Sequence, residues 1–205
     1  MPPAPDGSRP GTFYVNLTDP QERMKYQAEA IGFHESIPGH HLQLAIAGEL
    51  EHIPTFQRYM GATSFVEGWG LYTERLADEM GLYSNDLQRL GMLSADSWRA
   101  GRLVVDTGMH AKGWSRDQAV DFLVDHTAVA RSEAEVEVDR YVGWPGQALA
   151  YRLGQREILR LREKASDALG DRFDIKGFHD TVLTSGPVTM SILEWLIDEW
   201  ISSHE

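Results

Sequence analysis

Apolar residues recur at three- and four-residue intervals over most of the chain, the period of a helix that buries one face. The pattern predicts helices over residues 64–81, 86–110, 115–128, 132–142 and 145–170, with a closing pair around IKGFHDTVLTS and TMSILEWLIDEWIS. Upstream, Asp19 and Pro20 with Glu22 supply a cap, a first-turn proline and a capping carboxylate, so a helix is expected to run from Pro20 into HESIPGHH and to resume in HHLQLAIAGELE. Ser132 with Glu135, and Ser115 with Gln118, have the spacing of capping boxes. Strict alternation is scarce. The β-branched and aromatic run TFYVNL, Thr12 to Leu17, is the one segment that reads as a strand, and the Pro/Gly-rich residues 1–11 before it read as a flexible leader. No repeat, linker or low-complexity tract follows, so a single, mainly α domain over 12–205 is predicted.

Composition narrows the function. Of 205 residues 42% are hydrophobic, enough for one well-packed core, and no apolar run approaches the roughly 20 residues of a membrane span. Nothing resembling the apolar core of a signal peptide opens the chain, which makes the cytoplasm the default compartment unless a longer N-terminus carried an export signal. The net charge of -12, with no basic cluster, opposes binding to a phosphate backbone, so nucleic acid is not an expected partner. Cysteine is absent, which removes thiolate metal sites and cysteine nucleophiles. A metal must be held by histidine and carboxylate.

HESIPGHHLQ, residues 34–43, concentrates the side chains able to do so. Two histidines four apart on a helix can reach one zinc with bonds of roughly 2.1 Å. Here Pro38 stands where the second would be, and the candidates are His40 and His41. Proline cannot continue the ladder and glycine can bulge, so a two-residue bulge at Pro38 and Gly39 would bring His40 into register with His34; His41 is the alternative. Glu35, next to the first ligand, is placed to act as general base on a metal-activated water. The third ligand expected of a catalytic zinc site is Glu67 in FVEGWGLYTERL, where Gly68 and Gly70 thin the helix, while Glu74 can accept from a ligand imidazole. Single histidines are more often ordinary surface or core residues. Here three of them and a glutamate crowd around one Pro-Gly break.

HESIPGHHLQ, EGWGLYTERLADEMG, VVDTGMHAKGWSRDQA and EVDRYVGWPGQALAYRLGQREI together resemble family 885 of bacterial proteins of unknown function, over about residues 11 to 200. The resemblance implies a helical, zincin-like (gluzincin-type) metallopeptidase domain, akin to helical oligopeptidases and the angiotensin-converting-enzyme type, with two histidines and a glutamate on Zn2+ and a peptide as substrate. Family members are typically more than twice this long, so the chain corresponds to a C-terminal portion, and a missing N-terminal domain or a homo-oligomer partner would complete the cleft. By similarity to the tyrosine-rich segment of those oligopeptidases, Tyr151, with Tyr141 second, is expected to stabilise the oxyanion. His110 is a candidate for the same task or for substrate binding, although a histidine at a helix end also complements the dipole. Gln147, Arg102 and Arg152 are candidate substrate contacts, the arginines for a carboxylate. His126, His179 and His204 have no supporting constellation, and Trp195 and Trp200 read as packing. Two other classes remain open: a zinc-binding helical domain inactive by itself, and a metal-free helical interaction module.

Overall fold

The computed structural model describes residues 1, 3–4, 6–15 and 24–204. Ten α-helices occur among them: α1 (Ala28–Glu35), α2 (His40–Glu49), α3 (Thr55–Met60), α4 (Thr63–Glu79), α5 (Asp86–Lys112), α6 (Arg116–His126), α7 (Arg131–Gly143), α8 (Ala150–Leu169), α9 (Ile175–Thr184) and α10 (Met190–Ser202). Short 3-10 turns precede α1 and α8 and follow α8. The mainly α architecture is as predicted. Residues 12–15 are not a strand, and no strand occurs among the described residues. Thr12 exchanges main-chain hydrogen bonds with Met1, 3.0 Å each way, but no ladder continues from that pair, and a strand without a ladder does not persist. Asn16 and Leu17, and the cap expected at Asp19, Pro20 and Glu22, lie outside the described residues.

The Ser115 capping box forms in full, its hydroxyl accepting from the Gln118 amide and the Gln118 side chain accepting from the Ser115 amide. The box expected at Ser132 does not. There the helix begins at Arg131, with Ala130 at its cap, so Ser132 is already inside the first turn and its hydroxyl has no cap to make. Helix α3 was not foreseen. Its six residues are too few to show a period.

Two helices form the spine. α4 and α8 cross where Gly68 meets Gly154: a Cβ on Gly68 would stand 2.5 Å from the Gly154 Cα, and one on Gly154 would stand 1.9 Å from the Ser64 carbonyl oxygen. No side chain larger than hydrogen permits that approach. Phe65, Trp69 and Tyr72 of α4 and Ile158 and Leu161 of α8 then close a core with Phe178 of α9 and Leu193 and Ile197 of α10, all fully buried. Each such side chain contributes roughly 1.5–3 kcal/mol by leaving water. A second core joins α5, α6 and α7 through Val105, Val120, Leu123, Val138 and Tyr141. A smaller one, Ala30, Ala77, Tyr83 and Met92, seats α1 against α4 and α5. The C-terminal half of α1 is held against α4 by the Thr73 hydroxyl, which donates to the Phe33 carbonyl at 3.3 Å.

Candidate metal centre

The chain breaks its helix where the Pro-Gly pair predicts, but more completely than a bulge. α1 ends at Glu35, residues 36–39 turn, and α2 begins at His40. The His41 amide donates to the Ser36 carbonyl at 3.1 Å across the break, and the Trp69 indole N–H donates to the Pro38 carbonyl at 2.9 Å, fixing the turn to α4. A Cβ on Gly39 would stand 2.0 Å from the His34 carbonyl oxygen, so the chain can fold back this closely only at glycine. The outcome is two helix ends instead of one kinked helix, with the His34 and His40 rings 4.6 Å apart and perpendicular.

Both Nε2 atoms face Glu67. Its Oε2 lies 3.7 Å from His34 Nε2 and 3.3 Å from His40 Nε2. Ligand atoms at the corners of a tetrahedron with bonds of about 2.1 Å stand about 3.4 Å apart, so this group could hold a metal ion. His34, His40 and Glu67 are the one such group among the described residues, and it contains His40 and not His41. Each imidazole is turned by its other nitrogen. His34 Nδ1 lies 2.8 Å from Glu74 Oε1, and His40 Nδ1 lies 3.2 Å from Gln43 Oε1, while the Gln43 amide nitrogen donates to the Phe65 carbonyl. These partners accept Nδ1–H and leave Nε2 with a free lone pair. Gly70 makes the room: a Cβ there would meet His34 Nε2 at 2.7 Å and His40 Cε1 at 2.9 Å.

Electrostatics agree with the geometry. Burial pushes the Glu67 carboxyl pKa up, but the facing His34 and His40 rings, which pair with the carboxylate when protonated, more than reverse this and hold it well below the usual carboxylate range. Burial disfavours the His34 cation, yet Glu67 and Glu74 outweigh it and the pKa is raised. A buried site that attracts a proton this way is arranged to receive positive charge.

A cavity of about 690 Å³ opens beside the cluster. Glu35 is exposed on its wall, next to His34 and His40, and His41 lines it too. Trp98, Arg99, Arg102 and Tyr151 line it as well. The Tyr151 ring stacks on His34 at 6.2 Å, and its hydroxyl accepts from Gln147 Nε2 at 3.2 Å. Burial and the Glu67 charge raise its pKa, which keeps the hydroxyl a donor. Gln147 also reaches Glu67 Oε1 at 3.5 Å. Met1 and residues 11–14 also border the cavity.

Other candidates fall elsewhere. Tyr141 is buried, its hydroxyl accepts from Arg102 Nε at 2.8 Å, and burial pushes its pKa up to about 12. His110 Nε2 lies 3.1 Å from the Tyr141 carbonyl oxygen, outside the cavity wall. Arg152 is spent on Asp96 and Gln155. Arg102 does line the cavity, its guanidinium over Trp98 at 4.4 Å and Tyr151 at 4.6 Å, with Nη2 on Glu137 at 3.0 Å. Sequence reading missed Gln43 and Arg99. Both carried a signal, since Gln43 follows His40 by three and Arg99 precedes Arg102 by three, each pair sharing a helix face.

The described residues include no helix long and apolar enough to cross a membrane. Solved structures resemble the chain, two of them as follows. One is of a putative lipoprotein from Colwellia psychrerythraea, 44% identical, with a TM-score of 0.95, covering 98% of this chain and 34% of its own. The other is of a putative lipoprotein of unknown function from Shewanella oneidensis, 26% identical, with a TM-score of 0.80, covering 92% of this chain and 36% of its own. The chain thus spans about a third of the length of these relatives. Among curated proteins none matches. The family model described as "Bacterial protein of unknown function (DUF885)" matches residues 1–197, and the chain belongs to that family.

Proposed function

We propose that this chain is the metal-bearing helical domain, of zincin-like (gluzincin) type, of a zinc metallopeptidase. The observation that carries the reading is the mutual spacing of His34 Nε2, His40 Nε2 and Glu67 Oε2, with both Nδ1 atoms already engaged. Three protein ligands of nitrogen and oxygen beside an open cavity is the donor set of a catalytic zinc site. Zn2+ held by these three residues would supply a Lewis acid and lower the pKa of a water toward neutral pH. Glu35 takes a proton from the attacking water and delivers it to the amide nitrogen as the C–N bond breaks; the water's hydroxyl ends on the carbonyl carbon, giving a carboxylate and an amine. Tyr151 donates its hydroxyl hydrogen to the carbonyl oxygen as charge develops there, a contribution of roughly 2.7–4 kcal/mol for one well-placed donor. Glu74 and Gln43 keep the imidazoles in one tautomer, and Gln147 steadies both Glu67 and Tyr151.

A second reading, a zinc-binding domain that needs another part to turn over peptides, is favoured by one fact: the chain spans 34% of the length of its Colwellia relative. The names of both relatives also fit an exported, membrane-anchored whole protein better than a cytoplasmic one. Metal analysis of untagged protein tests the shared premise. About one equivalent of zinc is expected, and less than about 0.2 after zinc incubation would overturn it. Glu35→Gln should retain the zinc and abolish cleavage of a mixed peptide library; cleavage equal to wild type would remove Glu35 from the chemistry.

A further inference from the structure

The wall facing the metal group is cationic in a chain whose net charge is -12. Arg99 and Arg102, three residues apart on α5, both line the cavity and are 9% and 4% exposed. Their neutralisation is incomplete. Glu137 is shared between Arg102 at 3.0 Å and Arg140 at 2.8 Å, and Glu74 accepts from His34 while standing 3.8 Å from Arg99. Two carboxylates are therefore divided among three guanidiniums and an imidazole. Guanidinium keeps its charge at any physiological pH, so the surplus cannot be relieved by losing a proton. Hydrogen bonding is incomplete as well: Arg99 Nε and Arg102 Nη1 are buried donors without an acceptor among the described residues. Buried donors left unpaired are costly, and each such case calls for an explanation.

We infer that the Arg99 and Arg102 wall binds the terminal carboxylate of a peptide, so that the domain acts on free C-termini and releases a short C-terminal piece. The inference rests on the metallopeptidase reading and specifies its substrate class. The Arg102 guanidinium sits over the Trp98 and Tyr151 rings with Nε on Tyr141 and Nη2 on Glu137, which fixes its position and leaves Nη1 for a carboxylate oxygen. Tyr151 touches both Arg102 and His34, so guanidinium and metal group lie within a span that about three extended residues cover. A carboxylate at the wall thus belongs to a residue one or two beyond the cleaved bond. A peptide continuing past that point would bring an uncharged amide against a buried surplus cation.

Calorimetric titration of the zinc-loaded chain with N-acetyl-Ala-Phe and with its C-terminal amide tests this directly. The acid should bind at least about ten-fold more tightly, as expected for a charge-assisted pair. Arg99→Gln and Arg102→Lys should each reduce that preference while retaining zinc and the helical circular dichroism. Equal affinity for acid and amide, no binding of the acid at millimolar concentration, or a preference that survives in both variants would overturn the inference. Zinc stoichiometry, measured on the same samples, separates the two ideas. Loss of acid preference with zinc retained removes the carboxylate site alone, whereas acid preference without zinc removes the metallopeptidase reading alone.

Discussion

His34 and His179 both pack against α4, one buried and the other half-buried, and their pKa values move in opposite directions. Beside His34 stand two carboxylates, Glu67 and Glu74, and its pKa is raised. Beside His179 stand the Tyr72 hydroxyl, 2.6 Å from Nε2, and the Arg162 guanidinium, which donates to that hydroxyl at 3.2 Å. Burial and then the Arg162 charge push the His179 pKa down to about 4. Arg162 occupies the oxygen as a donor, so the hydroxyl gives its own hydrogen to Nε2 and the imidazole stays neutral. A histidine's environment, more than its depth, decides whether it seats a cation or serves as an uncharged wedge.

The contrast can be broken most severely at Glu67. Glu67→Ala removes the proposed third ligand and the charge facing both imidazoles; zinc stoichiometry, read by elemental analysis, should fall from about one to near zero with the helical circular dichroism retained. Next is Gly70→Ala. Alanine in a helix interior ordinarily gains about 1 kcal/mol over glycine, but here the methyl would meet both imidazoles, so zinc binding should be lost and thermal unfolding should show a cost of about 1–3 kcal/mol instead. Glu74→Gln keeps the shape and weakens the acceptor at His34 Nδ1; roughly 10- to 100-fold weaker zinc affinity is expected in a competition titration with a chelator. The smallest effect is at His179. The folded pKa of His179 lies below its ordinary value of 6.5, so the unfolded chain binds more protons between that pH and about 4, and stability is lost as pH falls through this window. His179→Gln should flatten that part of the melting temperature profile; an unchanged slope would show that His179 does not titrate as described.

Much of this difference was legible in the chain and some was not. The crowding of His34, Glu35 and His40 around Pro38 and Gly39 pointed to the metal group because proline and glycine act locally, through a missing N–H and a missing side chain. Glu67 was reachable because Gly68 and Gly70 marked a thin helix. The manner of the break was not, since it depends on the Trp69 indole holding the Pro38 carbonyl from another helix. Tyr151 was ranked ahead of Tyr141 by resemblance alone; what each hydroxyl does is set by tertiary packing, which sends the Tyr141 hydroxyl to Arg102 and the Tyr151 hydroxyl to Gln147. Residues 12–15 failed as a strand for the same kind of reason: β-propensity is expressed only against a partner.

The Gly68 and Gly154 contact carries a consequence for how this protein can change. α4 supplies Glu67, Glu74, the Trp69 pin and the Gly70 hollow, and it also presses Phe65, Trp69 and Tyr72 into the largest core. A shift of α4 along α8 by one turn, about 5.4 Å, would carry every one of these away from α1 and α2. Drift in this helix is therefore penalised twice over, once in the core it fills and once at the pocket whose donors it carries.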